Sequence, residues 1–258
     1  MGRHLTWPRL RRLRQIVQAA ALLLYVILLF AALQRRIAVA SLTPLADLFF
    51  RLDPLAAAGA MLAARAWIPR LALALVTLGL TLLLGRIWCG WLCPLGTLLD
   101  WVRFPSAQRQ EVQLSSRWKG VKYLLLLLLL TLALLGNLSL LILDPITLLT
   151  RTMTTAVLPA LNQAVTAVER TLYPIGFLRP AINWVERGLR GPVLPVTQPV
   201  FAMNVLTGLL FVGILALNRL GRRFWCRTLC PLGALLGWMS KVALLRPFVE
   251  PACNRCGQ

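Results

Sequence analysis

The chain has a single histidine, His4, and only eight acidic residues among its 258. With no histidine inside an apolar run, a haem b held between two histidines is excluded. There is no phosphate-binding loop, no acid pair and no serine–histidine arrangement, so hydrolytic chemistry has no visible seat. Charge of either sign is scarce: 14% of residues are charged against 59% hydrophobic, and the mean hydropathy is +0.74. Those values exclude an ordinary water-soluble domain of this length. The charge present is one-sided, with 28 Lys+Arg giving a formal +20. The basic residues lie between apolar runs rather than along one soluble face, which argues against nucleic acid and for a lipid membrane as partner.

A helix needs about 17 to 25 mostly apolar residues to cross the hydrocarbon core. Four expected spans follow: Ile16 to Leu33, Val121 to Leu143 and Val200 to Leu217 have that length, and Leu71 to Gly85 is shorter but continues into a cysteine-containing stretch. In lipid every backbone amide must be bonded within its own segment, so the expected fold is all-α, a membrane protein of four transmembrane helices. Arg3, Arg9, Arg11, Arg12 and Arg14 precede the first run, and the positive-inside rule places the N-terminus in the cytoplasm. Four crossings return the C-terminus to that side. The three lysines, Lys119, Lys122 and Lys241, then also lie inside, and Trp88, Trp91, Trp101, Trp118, Trp225 and Trp238 gather at the same span ends, as an interfacial belt does. Arg35, Arg36, Arg51, Arg65 and Arg70 fall outside in this arrangement and run against the rule. Ala38-Val39-Ala40 resembles a signal-peptidase site, but Arg35, Arg36 and the length of the apolar run favour an uncleaved first span. The expected localisation is the inner (cytoplasmic) membrane, multi-pass, with both termini cytoplasmic.

The sulfur is ordered. All six cysteines fall in three pairs, two of them in near-copies of one phrase: Trp88-Cys89-Gly90-Trp91-Leu92-Cys93-Pro94-Leu95-Gly96 and Trp225-Cys226-Arg227-Thr228-Leu229-Cys230-Pro231-Leu232-Gly233. Leu98, Leu99 and Trp101 match Leu235, Leu236 and Trp238 at the same offset of 137 residues. Each copy follows an apolar run and a basic residue, Arg86 or Arg223, so the repeated unit is an inward helix ending in a Cys-Pro turn. A second echo pairs Leu52-Asp53-Pro54-Leu55 with Leu143-Asp144-Pro145-Ile146, read as helix-capping turns at the outer surface. The proline-rich stretch from Thr147 to Pro199 reads as an outer-face loop. Within it Leu158, Leu161, Val165, Val168 and Leu172 mark an amphipathic helix. Asn137, Asn204 and Asn218 are expected to bond across helices.

In a helix, cysteines four apart share a face, so Cys89 with Cys93 and Cys226 with Cys230 each present two sulfurs in one direction. Pro94 and Pro231 interrupt the helix and free backbone groups to point at sulfur. Arg86, Arg223 and Arg227 are expected to lower the thiol pKa values. A disulfide within one helical turn has poor geometry, and structural zinc commonly uses C-x2-C spacing in soluble ribbons. Redox chemistry remains, through an iron–sulfur cluster or reactive thiols. The third pair, Cys253-Asn254-Arg255-Cys256, favours the cluster, because it has the spacing that opens a bacterial ferredoxin run, C-x2-C-x2-C-x3-C-P. The sequence stops inside that run, so it is expected to continue into a ferredoxin-like domain; the alternative is a terminal C-x2-C that binds zinc. The resulting organisation is a basic head over 1–15, a four-helix membrane domain over 16–245 and the start of a 4Fe-4S ferredoxin-like domain over 246–258.

From Leu71 to Gln258 the residues resemble the NapH/NosR/CcoG-type polytopic membrane ferredoxin family, through the two W-C-x3-C-P-L-G copies and the ferredoxin-like start at Cys253. The resemblance implies 4Fe-4S cofactors and electron transfer between the quinone/quinol pool and other redox subunits. It carries the family's motif cysteines onto Cys89, Cys93, Cys226 and Cys230, and its first ferredoxin ligands onto Cys253 and Cys256. Trp88, Pro94, Gly96, Trp225, Pro231 and Gly233, with Arg86 and Arg223, are the supporting motif residues. No large flavin-binding domain precedes the first span, so the resemblance is NapH-like rather than NosR-like. Two other functions fit the thiols: a membrane protein that binds or reduces a soft metal such as copper, and a thiol relay.

Overall fold

The structure is a computed structural model, described for residues 7–33, 43–102, 116–189, 201 and 203–245. Arg3, His4, Arg35, Arg36, Ala38-Val39-Ala40, the prolines from Pro192 to Pro199, Cys253 and Cys256 lie outside the described residues, so the readings placed on them receive no structural account. Among the described residues the secondary structure is helical, without strands.

The chain opens with α1 (Trp7–Leu33), followed by α2 (Thr43–Arg51), α3 (Pro54–Ala64), α4 (Ala74–Leu84) and α5 (Pro94–Trp101). Then come α6 (Ser116–Leu134), α7 (Pro145–Thr152), α8 (Leu158–Leu172) and α9 (Arg179–Leu189). The last three are α10 (Asn204–Leu217), α11 (Phe224–Thr228) and α12 (Pro231–Met239).

The four expected spans are not four uniform helices. Among the described residues only Arg12–Ala32, inside α1, is both long and apolar enough to cross a membrane as one helix. The run from Leu71 ends at Gly85, whose φ of 73° belongs to the left-handed side that a glycine tolerates. The run from Val121 is cut at Gly136 (φ 82°), where Asn137 N donates to Leu132 O and Gly136 N to Ala133 O, a glycine-closed helix end. A separate 3-10 turn, Ser139–Leu143, completes it. The apolar surface is nevertheless turned outward: Leu23 and Leu24 on α1, Leu75 and Leu83 on α4, Leu124 and Leu127 on α6, and Leu209 and Val212 on α10 are all exposed.

The stretch read as an outer loop is largely helical. Asp144 caps α7, which runs through a π turn, Met153–Val157, into α8. Pro159 lacks the amide hydrogen that a regular helix requires at that point, and the wider π turn just before it accommodates the proline. Threonine hydroxyls bond back within the same helix, Thr150 to Ile146 O and Thr155 to Arg151 O, both at 2.8 Å. The amphipathic helix read from Leu158 to Leu172 coincides with α8.

Four helices begin at an X-Pro step with a short side chain as N-cap: Asp53-Pro54, Cys93-Pro94, Asp144-Pro145 and Cys230-Pro231. Proline at the first helical position loses nothing, because that amide has no intrahelical acceptor. The residue after each proline, Leu55, Leu95, Ile146 or Leu232, is buried in one shared core with Trp88, Cys93, Trp225 and Cys230. Packing is crosswise, with α5 against α7 and α12 against α3. The Asp-Pro turns do cap helices as expected, but they are interior features: Asp53 is 2% and Asp144 0% exposed.

Candidate functional site

The two Cys-Pro steps adopt nearly one backbone. Cys93 has φ −67° and ψ 117°, and Cys230 has φ −67° and ψ 115°. Each cysteine pair straddles a break instead of sharing one α-helical face. Cys89 lies in a π turn, Trp88–Leu92, and Cys226 lies in α11, while Cys93 and Cys230 cap the following helices. The proline causes the break, since the residue before it is pushed to extended backbone. At the new helix start an amide is free to face sulfur, and Gly233 N donates to Cys230 Sγ at 3.3 Å. This is the role expected of Pro231; at Pro94 the Cys93 side chain makes no such cap bond.

The glycines of the motif are steric. A Cβ on Gly96 would stand 3.1 Å from the Cys89 carbonyl oxygen, and one on Gly233 would stand 3.0 Å from that of Cys226. Each helix start therefore packs closely on the carbonyl of its own first cysteine, and a Cβ there would require that carbonyl to give by a few tenths of an ångström.

The motif arginines cross between copies. Arg223 Nη1 donates to Cys89 O at 3.0 Å, while its carboxylate partner is Asp100, with Nε–Oδ1 2.9 Å and Nη2–Oδ2 2.7 Å. Its counterpart Arg86 reaches the other way, Nη2 to Gly237 O at 3.3 Å and Nε to Ser240 Oγ at 3.0 Å. Gly237 occupies the repeat position of Asp100, so the acid is present in one copy only. Gln18 and Arg14 of α1 complete the Asp100 hub, and Gln18 Nε2 also donates to Gly90 O at 2.9 Å. The signal for Asp100 was faint in the sequence: it was one of only eight acids and followed the motif by a few residues.

Cys93 and Cys230 are buried and Cys89 and Cys226 half-buried; all four are free thiols. Burial pushes the Cys89 thiol up to about 12 and the Cys226 thiol up to about 11. Cys93 and Cys230 are raised well above the ordinary thiol value, first by burial and then by the charge of Cys226 and Cys89. The expected lowering by arginine is therefore overturned. Arg223 and Arg86 do pull Cys89 downward, but desolvation wins, and Arg227 points to the exterior. The mutual influence of the thiols puts the two pairs within electrostatic reach of each other.

The donor set suits a thiolate-held cluster in number and chemistry, with four cysteines supplied by two equivalent turns. Trp88 and Trp225 support that fit. Each directly precedes a cysteine, is nearly buried, and has an indole N–H with no acceptor among the described residues. Two orphaned donors at repeat-related places suit a group that brings acceptor atoms. In the side-chain arrangement described, no three cysteine, histidine or acid side chains converge as a metal site. Holding a cluster therefore requires the sulfurs to draw together.

Two segments, residues 66–113 and 201–249, match a protein family described as a 4Fe-4S binding domain. An iron–sulfur cluster is the cofactor these matches support. Each match encloses one Cys-Pro copy. No curated protein and no solved structure matches the chain. Of the asparagines expected to bond between helices, Asn218 does so, with Nδ2 2.6 Å from both Leu99 O and Val102 O. Asn137 and Asn204 accept from nearby backbone amides, those of Ser139 and Val205.

Proposed function

We propose that the protein is a membrane-bound iron–sulfur electron-transfer subunit that passes electrons between the quinone pool and a respiratory or reductase partner at the cytoplasmic face. The observation carrying this reading is the coincidence of the two 4Fe-4S domain matches with two Cys-Pro turns whose core is shared. Cys89, Cys93, Cys226 and Cys230 are the ligands assigned to a cluster, and the bound cluster supplies reversible one-electron storage. The protein's part is to hold and bury the thiols, to place Arg223 and Arg86 beside them, and to present the N-termini of α5 and α12 to their negative charge. Membrane residence rests on the composition, on the long apolar α1 and on the outward apolar faces of α4, α6 and α10. The four-span topology, with both termini inside, belongs to the same proposal.

The test is anaerobic purification of the chain from membranes, followed by iron and sulfide assay and electron paramagnetic resonance of the reduced protein. Iron with matching sulfide, lost when Cys93 and Cys230 become serine, supports the reading. Copper or zinc without sulfide sinks it in favour of a metal-handling protein. A thiol relay is poorly served by buried thiols held in the protonated form.

A further inference from the structure

We propose that Asp53 and Asp144 form a carboxyl dyad that holds one proton between Asp53 Oδ2 and Asp144 Oδ1, a buried acid–base site beside the cysteine core. Each residue uses one oxygen as a helix cap. Asp53 Oδ1 accepts from Leu55 N at 3.0 Å and Ala56 N at 3.3 Å. Asp144 Oδ2 accepts from Ile146 N at 3.0 Å and Thr147 N at 2.9 Å. The remaining oxygen of each is buried and has no donor among the described residues. The two carboxyls lie close enough to act on each other, and the residues that start their helices, Leu55 and Ile146, are buried in one core. Two bare carboxylates cannot bond, since both only accept; one proton makes one a donor and satisfies both.

The charge balance gives the same count. Each helix N-terminus presents roughly half a positive charge. The starts of α3 and α7 therefore offset about one negative charge, which is one carboxylate and not two. No basic side chain among the described residues bonds to either carboxyl. On the elements packed around them, Lys122, Arg86 and Arg223 act on the thiols, Asp100 is engaged by Arg223 and Arg14, and Arg151, Arg227 and Lys241 are exposed. The charge of Asp144 also acts at a distance on the thiols of Cys89, Cys93 and Cys230, after burial and the neighbouring thiols.

Infrared spectroscopy of the full chain in lipid tests this, with or without bound iron. A carbonyl stretch of a protonated carboxylic acid is expected at neutral pH, shifted in D2O. It is expected to vanish in Asp144→Asn and in Asp53→Asn, whose amide N–H replaces the shared proton and preserves the fold. Asp144→Ala, which supplies no hydrogen, is expected to melt well below Asp144→Asn. A wild-type spectrum without that band overturns the proposal, as does a band that survives in both asparagine variants. Sodium-dependent stability in place of the band overturns it too, because the carboxyls would then be sharing a cation.

Discussion

Arg223 closes on Asp100 through two hydrogen bonds of 2.9 and 2.7 Å, and the same guanidinium donates to the carbonyl of Cys89. One side chain of the second copy thereby fastens the cysteine turn of the first. Its backbone is committed as well: Arg223 has φ 52°, and its amide is received by Asn218 Oδ1 at 2.9 Å. Asp100 is 9% exposed and stands between Arg223 and Arg14, so removing its charge leaves two part-buried guanidiniums side by side without a counter-charge.

Asp100→Asn is therefore expected to lower stability by about 3 kcal/mol, the usual cost of breaking such a pair from one side. Arg86→Gln, at an exposed arginine that bonds a carbonyl and a hydroxyl, is expected to cost far less. Burial alone would raise Asp100, but the hydrogen bonds and charge of Arg223, with Gln18 and Arg14, hold it below the usual carboxylate range. A lowered folded pKa gives stability that is present above the unfolded value, about 3.9, and is lost as pH falls through the folded one. Melting temperature in detergent between pH 6 and 3 checks this, and Asp100→Asn should remove part of the acid sensitivity.

Gly96→Ala and Gly233→Ala are expected to destabilise by roughly 1 to 3 kcal/mol, because the new methyl meets a backbone carbonyl at 3.1 or 3.0 Å and must displace it. Gly213→Ala in α10 meets nothing within 4 Å and is expected to be neutral or to stabilise by up to about 1 kcal/mol through helix propensity. Thermal melts of the three variants decide the matter. Equal effects at all three positions would refute the steric account.

The sequence disclosed the repeat, the Asp-Pro caps and α8, because each is written locally as a spacing or a cap-plus-proline pair. It did not disclose that Asp53 and Asp144 are interior. That depends on α3 packing against α12 and α7 against α5, contacts between segments far apart in the chain. Burial also decides the thiol protonation, and no count of nearby arginines reveals it. The expected span from Val121 to Leu143 is broken because hydropathy averages over Gly136, where the backbone turns.

Asn218 ties the end of α5 to the start of the second cysteine turn, donating to Leu99 O and Val102 O and accepting from Arg223 N. Asn218→Leu keeps the size and strands three polar groups, two of them carbonyls. A loss of about 2 to 4 kcal/mol is expected, at the cost of roughly 1 to 3 per unsatisfied buried group with some repair by water. Asn218→Asp, which can still accept but no longer donate, should also destabilise, and the comparison by chemical denaturation separates polarity from shape.

The thiols give the last prediction. In the cluster-free protein the Cys89 thiol is raised to about 12 and that of Cys226 to about 11, chiefly by burial. Because the thiolate is the nucleophile, iodoacetamide should label the folded chain slowly at pH 8 and quickly only after unfolding. For stability, a raised folded pKa means the contribution is whole below the unfolded value of about 8.5 and is lost as pH climbs towards the folded one. Melting temperature should therefore fall above about pH 9, and Cys89→Ala should flatten part of that fall. Mass spectrometry of pulse-labelled protein reads each cysteine separately. Rapid labelling of Cys89 and Cys226 at neutral pH in the folded state would mean that the arginines, not burial, govern these sulfurs.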